Sequence, residues 1–452
     1  MKYSPRAVAA TGVALLLCAA PTAGQQVAGR LTLDDALRLA HDHNPAFQRV
    51  RNDLDAASSS VRAAWAAAFL PSLSSSMSFG GSRSTTVTGS DAFGRPVRLE
   101  DPRTWRGSSA SQSIGTQMTL FDGLSSIRNL GVQRALHDAT EARIALQEVQ
   151  LVAQVSREYW QAVKTSQLIT LEEALLASAR ERLAGTEELL RIAARNRVDL
   201  LGARADVAQF EQNLERARGE ADKARLALAV TLGLEPTSSI TLDTALPPIF
   251  DPADLDPASL VALAKAGSPL LHQSEANVAA ARHRAAAARG RRLPTVNASA
   301  GYGRSMSLPG YGAFGEINPL NYGFNFGLSV SLPLFSRFQT VGAITEASAA
   351  LEDAQHDLRG TELTVERDVR SALIDLANAY RSLQLADQNA ELSRERQELT
   401  QEQYRLGGVN FTELQNVIDR TAQAERQALD ARFIFITARL NLEEKLGVRL
   451  EG

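Results

Sequence analysis

The chain has 452 residues, and its 48 Lys and Arg against 51 Asp and Glu leave a net charge of −3. This length suits two or three ordinary domains, and the balanced charge excludes a global field that would draw the chain to nucleic acid or an acidic surface. The single cysteine, Cys18, excludes a disulfide scaffold.

Lys2 and Arg6 lead into a short apolar run at 13–20, followed by the small residues Thr22, Ala23 and Gly24. This is the order of a secretory signal peptide over 1–24, cut near Ala23 or Gly24, and the run is too short for a membrane helix. Cys18 follows Leu17, where a lipid-anchor site requires a small residue. No later segment offers the roughly 18 apolar residues of a membrane helix. Any membrane-spanning part must therefore consist of strands.

Beyond the leader the sequence repeats itself. Leu120-Phe121 and Leu334-Phe335 lie 214 positions apart, as do Leu232-Gly233 and Leu446-Gly447, and Asp199-Leu200 and Glu413-Leu414. Upstream, Leu70-Pro71 matches Leu293-Pro294 at 223, and Asn44-Pro45 matches Ser268-Pro269 at 224. The change of offset implies a duplication with a longer loop in the first copy. That copy (25–256) is predicted to carry short helices within 33–69, strands at 72–85 and 110–120, and a helical hairpin over 122–232 with its tip near 193–199. The second copy (257–452) carries helices within 257–292, strands at 295–306 and 322–332, and a hairpin over 337–446 with its tip near 407–413.

The strands alternate. Tyr322, Phe324, Phe326, Leu328, Val330 and Leu332 interleave with Gly323, Asn325, Gly327, Ser329 and Ser331. Val296, Ala298, Ala300 and Tyr302, and Ile114, Thr116, Met118 and Leu120, do the same with small or polar residues. A soluble sheet with one face on a core fits this pattern, and so does a membrane barrel with an apolar outside and a polar lumen. Strand length and the leader favour the barrel, since spanning strands need about 9–11 residues. Four strands cannot close a barrel in lipid, so at least two copies must assemble, and the physics does not choose the number.

Each long helical arm covers about 70 residues, or roughly 100 Å at 1.5 Å per residue. Leu373, Leu376, Tyr380 and Leu383 step by three and four, as do Val207, Phe210, Leu214, Ala217 and Ala221, the spacing of a buried coiled-coil seam.

The segment LTLDDALRLAHDHNP at 31–45, the Leu-Pro before each first strand, the Leu-Phe after each second and the closing Leu-Gly together resemble the outer-membrane efflux proteins, the TolC family. The resemblance covers essentially the whole chain after the leader. It implies a mainly α protein with transmembrane β: duplicated strand–strand–long-hairpin units that form, as a homotrimer, a 12-stranded outer-membrane barrel continuous with a periplasmic α-helical barrel. It implies a passive exit duct, with outer-membrane lipid around it and two protein partners: a periplasmic adaptor and an inner-membrane pump of RND or ABC type. A drug or small-molecule efflux duct is the first reading, the exit duct of a type I protein secretion system the second, and a structural coiled-coil envelope protein the third.

The resemblance also implies where function concentrates. Ala193, Arg195, Arg197, Val198, Asp199 and Leu200 at the first tip, and Gly407, Gly408, Phe411, Thr412 and Leu414 at the second, are the expected adaptor contacts. Ala193 stands where the family carries Gly. Glu413 and Asn416, three apart on one helix face, are the expected pore lining, and Tyr404 with Asp199 is a candidate closing contact. The competing structural readings are a glycine turn at Gly407-Gly408 and a solvated helix face at Glu413 and Asn416.

Other signals fall away. GYGAFG at 310–315 fits a dinucleotide motif, but a strand follows it where a helix is required, so it reads as a barrel loop. His41 and His43 do not share a helix face, so HDH is no ligand pair. Arg289, Arg291 and Arg292 read as an interfacial anchor. No nucleophile–base arrangement, metal-ligand spacing or cofactor motif is present, so neither enzyme chemistry nor a cofactor is expected.

Overall fold

A computed structural model describes residues 30–191, 196–236 and 240–450 of the chain. The expected signal peptide, and Ala193 and Arg195 of the first tip, lie outside these residues. The chain divides into two compact units that cut across both sequence repeats. One comprises the described residues through Asn44 together with Gln154–Pro248 and Leu383–Ile436; the other comprises Pro45–Ala153, Ile249–Ser382 and the end of the chain from Thr437.

The second unit holds a four-stranded antiparallel sheet, ordered β2 (Ser72–Ser90), β3 (Pro96–Phe121), β5 (Thr295–Pro309) and β6 (Asn321–Ser331). Two further strands, β1 (Arg30–Leu31) and β4 (Thr241–Leu242), belong to the other unit. Register sets the faces of the large sheet. Met77 lies opposite Gln112 and Arg304, Ile114 opposite Tyr302 and Phe324, and Thr116 opposite Ala300 and Phe326. That face exposes Leu73, Met77, Ile114, Tyr302, Phe324, Phe326 and Leu328. The opposite face carries small polar groups, paired as Ser76–Ser113 at 2.8 Å, Ser78–Ser111 at 2.7 Å and Thr119–Asn297 at 3.0 Å. An apolar face left open beside a hydroxyl-lined one is the inverse of a soluble sheet, which buries its apolar face.

The strands of the first hairpin run longer than the sequence expectation. β2 ends at Ser90 rather than near 85, and β3 begins at Pro96 rather than near 110. Thr, Ser and Arg on both faces of 84–104 hide the period-two signal there, yet the ladder continues through Thr85–Thr104 and Gly89–Val97. β6 instead stops at Ser331, two residues before Pro333, which has no N–H to give a ladder.

The strands lead into very long helices, α3 (Ser125–Arg191) and α7 (Gln339–Arg405), of 67 residues each. The two joints differ in sequence but share a backbone. Gly123 and Leu124 have φ of 69° and 65°; Arg337 and Phe338, each 214 positions later, have 50° and 62°. The caps match at the same offset. Asp122 Oδ2 accepts from the Ser126 N–H at 2.8 Å, and Ser336 Oγ accepts from the Thr340 N–H at 3.3 Å. The second joint turns at Arg337 and Phe338, four residues after Pro333. Gly123 is also required by space, since a Cβ there would lie 2.2 Å from the Gly290 carbonyl oxygen.

Preceding the strands, α2 (Pro45–Phe69) and α6 (Pro269–Gly290) belong to this unit, as does α5 (Pro257–Gly267), which precedes α6 in sequence. Arg143 of α3 pairs with Asp53 of α2 at 2.6 Å, and Lys265 of α5 with Glu366 of α7 at 2.7 Å. None of the described helices is long and apolar enough to cross a membrane.

The first unit gathers α1 (Leu33–His43), α4 (Arg197–Thr231), most of α8 (Phe411–Leu446) and the adjoining lengths of α3 and α7. Strands β1 and β4 pair in parallel, and the buried Tyr159 hydroxyl donates to the carbonyls of Leu31 at 3.2 Å and Asp243 at 2.9 Å. Burial, with Asp243 and Asp35 nearby, pushes that phenol up to about 12, so it remains a donor at any physiological pH. Phe210, Leu214, Ala217 and Ala221 of the expected seam are buried, as are Leu376 and Leu383 on α7.

The joints yield a test. Gly123→Ala must displace Gly290 or unwind the turn, and we expect it to destabilise the folded protein by about 3 kcal/mol. Arg337→Gly removes left-handed strain of about 1 kcal/mol against a similar gain in unfolded-state entropy, so its melting temperature should barely move. Equal losses in thermal melts of the two variants would refute this account.

Candidate functional site at the hairpin tips

Both tips turn by the same chemistry. Asn196 Oδ1 accepts from the Asp199 N–H at 2.9 Å at the start of α4, and Asn410 Oδ1 accepts from the Glu413 N–H at 2.8 Å at the start of α8. Asn is among the best N-caps, and Asp199 and Glu413 sit in the first turn, where a carboxylate favours the helix dipole. The two Asn residues are 214 positions apart, a match the sequence reading passed over. Gly407, at φ 81°, closes α7, and its neighbour Gly408 donates to the Gln403 carbonyl at 2.8 Å.

An apolar cluster joins the two hairpins behind the turns. Leu176 and Ala179 of α3, Phe210 and Leu214 of α4, Tyr404 of α7, and Leu414, Ile418 and Ala422 of α8 are buried together. Phe411 lies against Tyr404 with ring centroids 6.2 Å apart, and fills space left by Gly202, where a Cβ would meet its ring at 2.5 Å. The sequence reading places Leu414 among the adaptor contacts. At 3% exposure its side chain is instead committed to this cluster. Tyr404 is likewise turned inward, and within one chain it makes no hydrogen bond to Asp199 among the described residues.

Outward the tips present Arg197, Val198, Gly408, Thr412, Glu413 and Asn416, with Asp199 and Leu200 half-buried. Sequence reasoning missed the neighbouring Leu406, 79% exposed, and with it a stripe. Leu385, Leu392 and Leu399 on α7, and Leu406 one residue past its end, recur every seven residues and are exposed. Their heptad spacing is visible in the sequence; that they face away from the chain's own seam is not. A polar groove of about 360 Å³ between α7 and α8, lined in part by Ser393, Arg396, Arg420 and Thr421, was also unforeseen.

Polar contacts tie the hairpins together about one to five turns from the tip. Glu172 of α3, almost fully buried, takes a bidentate pair from Arg426 of α8 at 2.6 and 2.9 Å. The bonds to Glu172 raise the Arg426 guanidinium further above its ordinary value. Nearer the tip, Gln415 donates to Asp206 at 2.6 Å, with Asp419 and Arg182 close by. Burial, then Asp419, raises the Asp206 carboxyl; Arg182 and Gln415 act in the other direction. Burial also raises Asp419, opposed by Arg182 and Arg426.

Among the described residues the remaining polar cluster of ligand type is His137, Asp138 and Glu141. It lies on one face of α3, away from the tips, and His137 also meets Ser58 at 3.2 Å. Its carboxylates are exposed, and its geometry is that of solvated helix pairs.

Two outcomes test the ionic ties. Arg426→Ala leaves a buried carboxylate unpaired and should cost about 3 kcal/mol in a denaturant titration, with Glu172→Gln/Arg426→Ala recovering part of the loss. Asp206 binds its proton more tightly folded than unfolded, so its contribution is complete at acid pH and is lost as pH rises through the raised pKa. Asp206→Asn should therefore stabilise the tip at pH 7 and lose that advantage as the pH falls toward 4. Hydrogen exchange in α4 and α8 reads this directly, and a pH-independent difference would count against it.

Residues 36–234 and 260–448 match the sequence model described as outer membrane efflux protein. Alkaline protease secretion protein AprF of Pseudomonas aeruginosa is 25% identical over 92% of this chain and 85% of its own length. Pyoverdine export outer membrane protein OpmQ of Pseudomonas putida is 25% identical over 76% of this chain and 71% of its own. The solved outer-membrane channel OprN superposes with a TM-score of 0.73 at 21% identity, covering 92% of this chain and 89% of that one, which shows the shared fold. With the family model spanning both halves, the chain belongs to the outer membrane efflux protein family.

Proposed function

We propose that the protein is the outer-membrane exit duct of a tripartite efflux system. It works as a homotrimer and passively releases small molecules delivered by an inner-membrane pump through a periplasmic adaptor. The observation that carries this reading is the sheet, apolar on one face and lined by Ser, Gly and Asn on the other, with strands that run into 67-residue helices. Each chain contributes four strands, and β2 and β6 are left as edges. Lipid does not tolerate an open edge, so closure requires copies joined β2 to β6. Three copies give twelve strands, within the range of known membrane barrels. The helices then lie in the periplasm, the short first residues having been removed as a signal peptide.

The adaptor contacts are the exposed tip residues Arg197, Val198, Thr412 and Gly408, extended by Leu399 and Leu406. A seven-residue leucine repeat is the surface a partner helix covers. Three copies of Glu413 around the axis make an anionic ring, with Asn416 behind it, favouring cations in the resting duct. The exit duct of a protein secretion system stands as the second reading, because AprF is named for protease secretion while OpmQ is named for pyoverdine export.

Planar-bilayer recording of the purified protein tests the proposal. We expect discrete cation-selective channels, and Glu413→Gln should lower the cation preference without abolishing conductance. Absence of channels would overturn the duct, and unchanged selectivity would overturn the ring. Photo-crosslinking from Leu406 in cells, with the captured adaptor's pump identified as RND or ABC type, separates the two transport readings.

A further inference from the structure

The loop between β5 and β6 does not extend away from the sheet. It folds back over the apolar face. The Ala313 N–H donates to Ser108 Oγ at 2.9 Å and Gln112 Nε2 to the Ile317 carbonyl at 2.6 Å. Phe314 packs on Phe79 with centroids 6.4 Å apart, and the Tyr311 ring lies over Gly81. Ser108, Ala110 and Ala313 are buried beneath this flap. Its outer surface presents Tyr311, Phe314, Ile317 and Leu320, all more than half exposed.

Just beyond the flap, on the same face, Arg83 stands directly opposite Arg106. Like charges facing across strands are destabilising. Both side chains are exposed, and among the described residues neither has an ion pair. They line an open cleft of about 480 Å³ with Thr104, Trp105, Pro309 and Gly310. Their height is telling. Leu73, near the base of the apolar face, and Arg83 are ten residues apart on β2, about 33 Å along the strand and about 25 Å along the membrane normal at ordinary barrel tilt. That is the height of the lipid-facing band of such barrels. The pair therefore sits where acyl chains end and headgroups begin, on the side remote from the helices.

We propose that Arg83 and Arg106, above the apolar flap 310–320, bind the phosphate headgroup of an anionic lipid of the outer leaflet. The two guanidinium groups supply the countercharge, and Tyr311, Phe314 and Ile317 pack against the lipid's first methylenes. The inference rests on the outer-membrane reading of the sheet.

The test is native mass spectrometry of the full-length mature protein released from neutral micelles, titrated with phosphatidylglycerol or phosphatidylcholine. Two arginines near a membrane surface predict about 30-fold preferential retention of the anionic lipid. Arg83→Gln/Arg106→Gln should reduce this to parity while bilayer conductance stays unchanged, and Arg83→Lys/Arg106→Lys should keep an intermediate preference. Millimolar inorganic phosphate should not displace the lipid. Parity in the wild type, preference surviving in the double Gln variant, or displacement by phosphate alone each overturns the proposal. Failure of the wild type to form channels in either lipid overturns the membrane reading beneath it, a result separable from lipid parity in a conducting protein.

Discussion

Backbone amides in hydrocarbon have nothing to bond but each other. That constraint shapes more of this protein than any side-chain contact. The sheet satisfies its interior through three antiparallel ladders and leaves the outer edges of β2 and β6 open. Side chains cannot cover an edge against lipid, so only further strands will do. Under the outer-membrane reading proposed above, assembly is thus a requirement of the sheet. The exposed apolar face, unstable in water, and the exposed leucine stripe along α7 fit the proposal that copies and partners complete the chain.

The same constraint explains the economy of the joints. A strand that ends in lipid or at its rim must turn quickly into a helix that satisfies its own amides. Both halves solve this with two consecutive left-handed residues and an oxygen cap four residues before the helix residue it serves. In the first half Gly123 permits a contact with the Gly290 carbonyl that no other residue allows. In the second half Arg337 and Phe338 take the same φ without glycine, so the fold tolerates strain there. Backbone geometry is held at the 214 offset while the side chains drift from Asp to Ser and from Gly to Arg.

Much of the architecture was legible because it depends on periodicity. Tyr322 to Leu332 alternates strictly, and the helix of Phe210, Leu214, Ala217 and Ala221 keeps its seam, so element types and both hairpins follow from the residues. What escaped the sequence depends on geometry without periodicity. The upper part of β2 and β3 is polar on both faces and carries no alternation. Strands β1 and β4 have two residues each and are held by Tyr159 from afar. Left-handed Arg337 looks like any arginine. The 310–315 segment reads as a barrel loop, but no periodicity shows that Tyr311 and Phe314 fold back over the apolar face. At the tips, residue type located the turns, but burial alone separates Leu414, which packs inward, from Leu406, which does not.

The acidic residues at the tips carry two explanations, and the structure shows how far each reaches. Asp199 and Glu413 occupy the same position in the first turn of their helices, each behind an Asn cap. Helix chemistry accounts for a carboxylate at both places, so the repeated acid is no argument by itself for a charged aperture. The difference lies in what surrounds them. Asp199 is half-buried, while Glu413 is exposed and shares its face with Asn416. The dipole interaction of an exposed first-turn acid is worth less than about 1 kcal/mol and is screened by salt. A ring of three such acids in a narrow, low-dielectric aperture would act on every ion that passes. The structural role is therefore common to both tips and weak. In the proposed trimer, an electrostatic role in permeation falls to Glu413, the more exposed of the two acids.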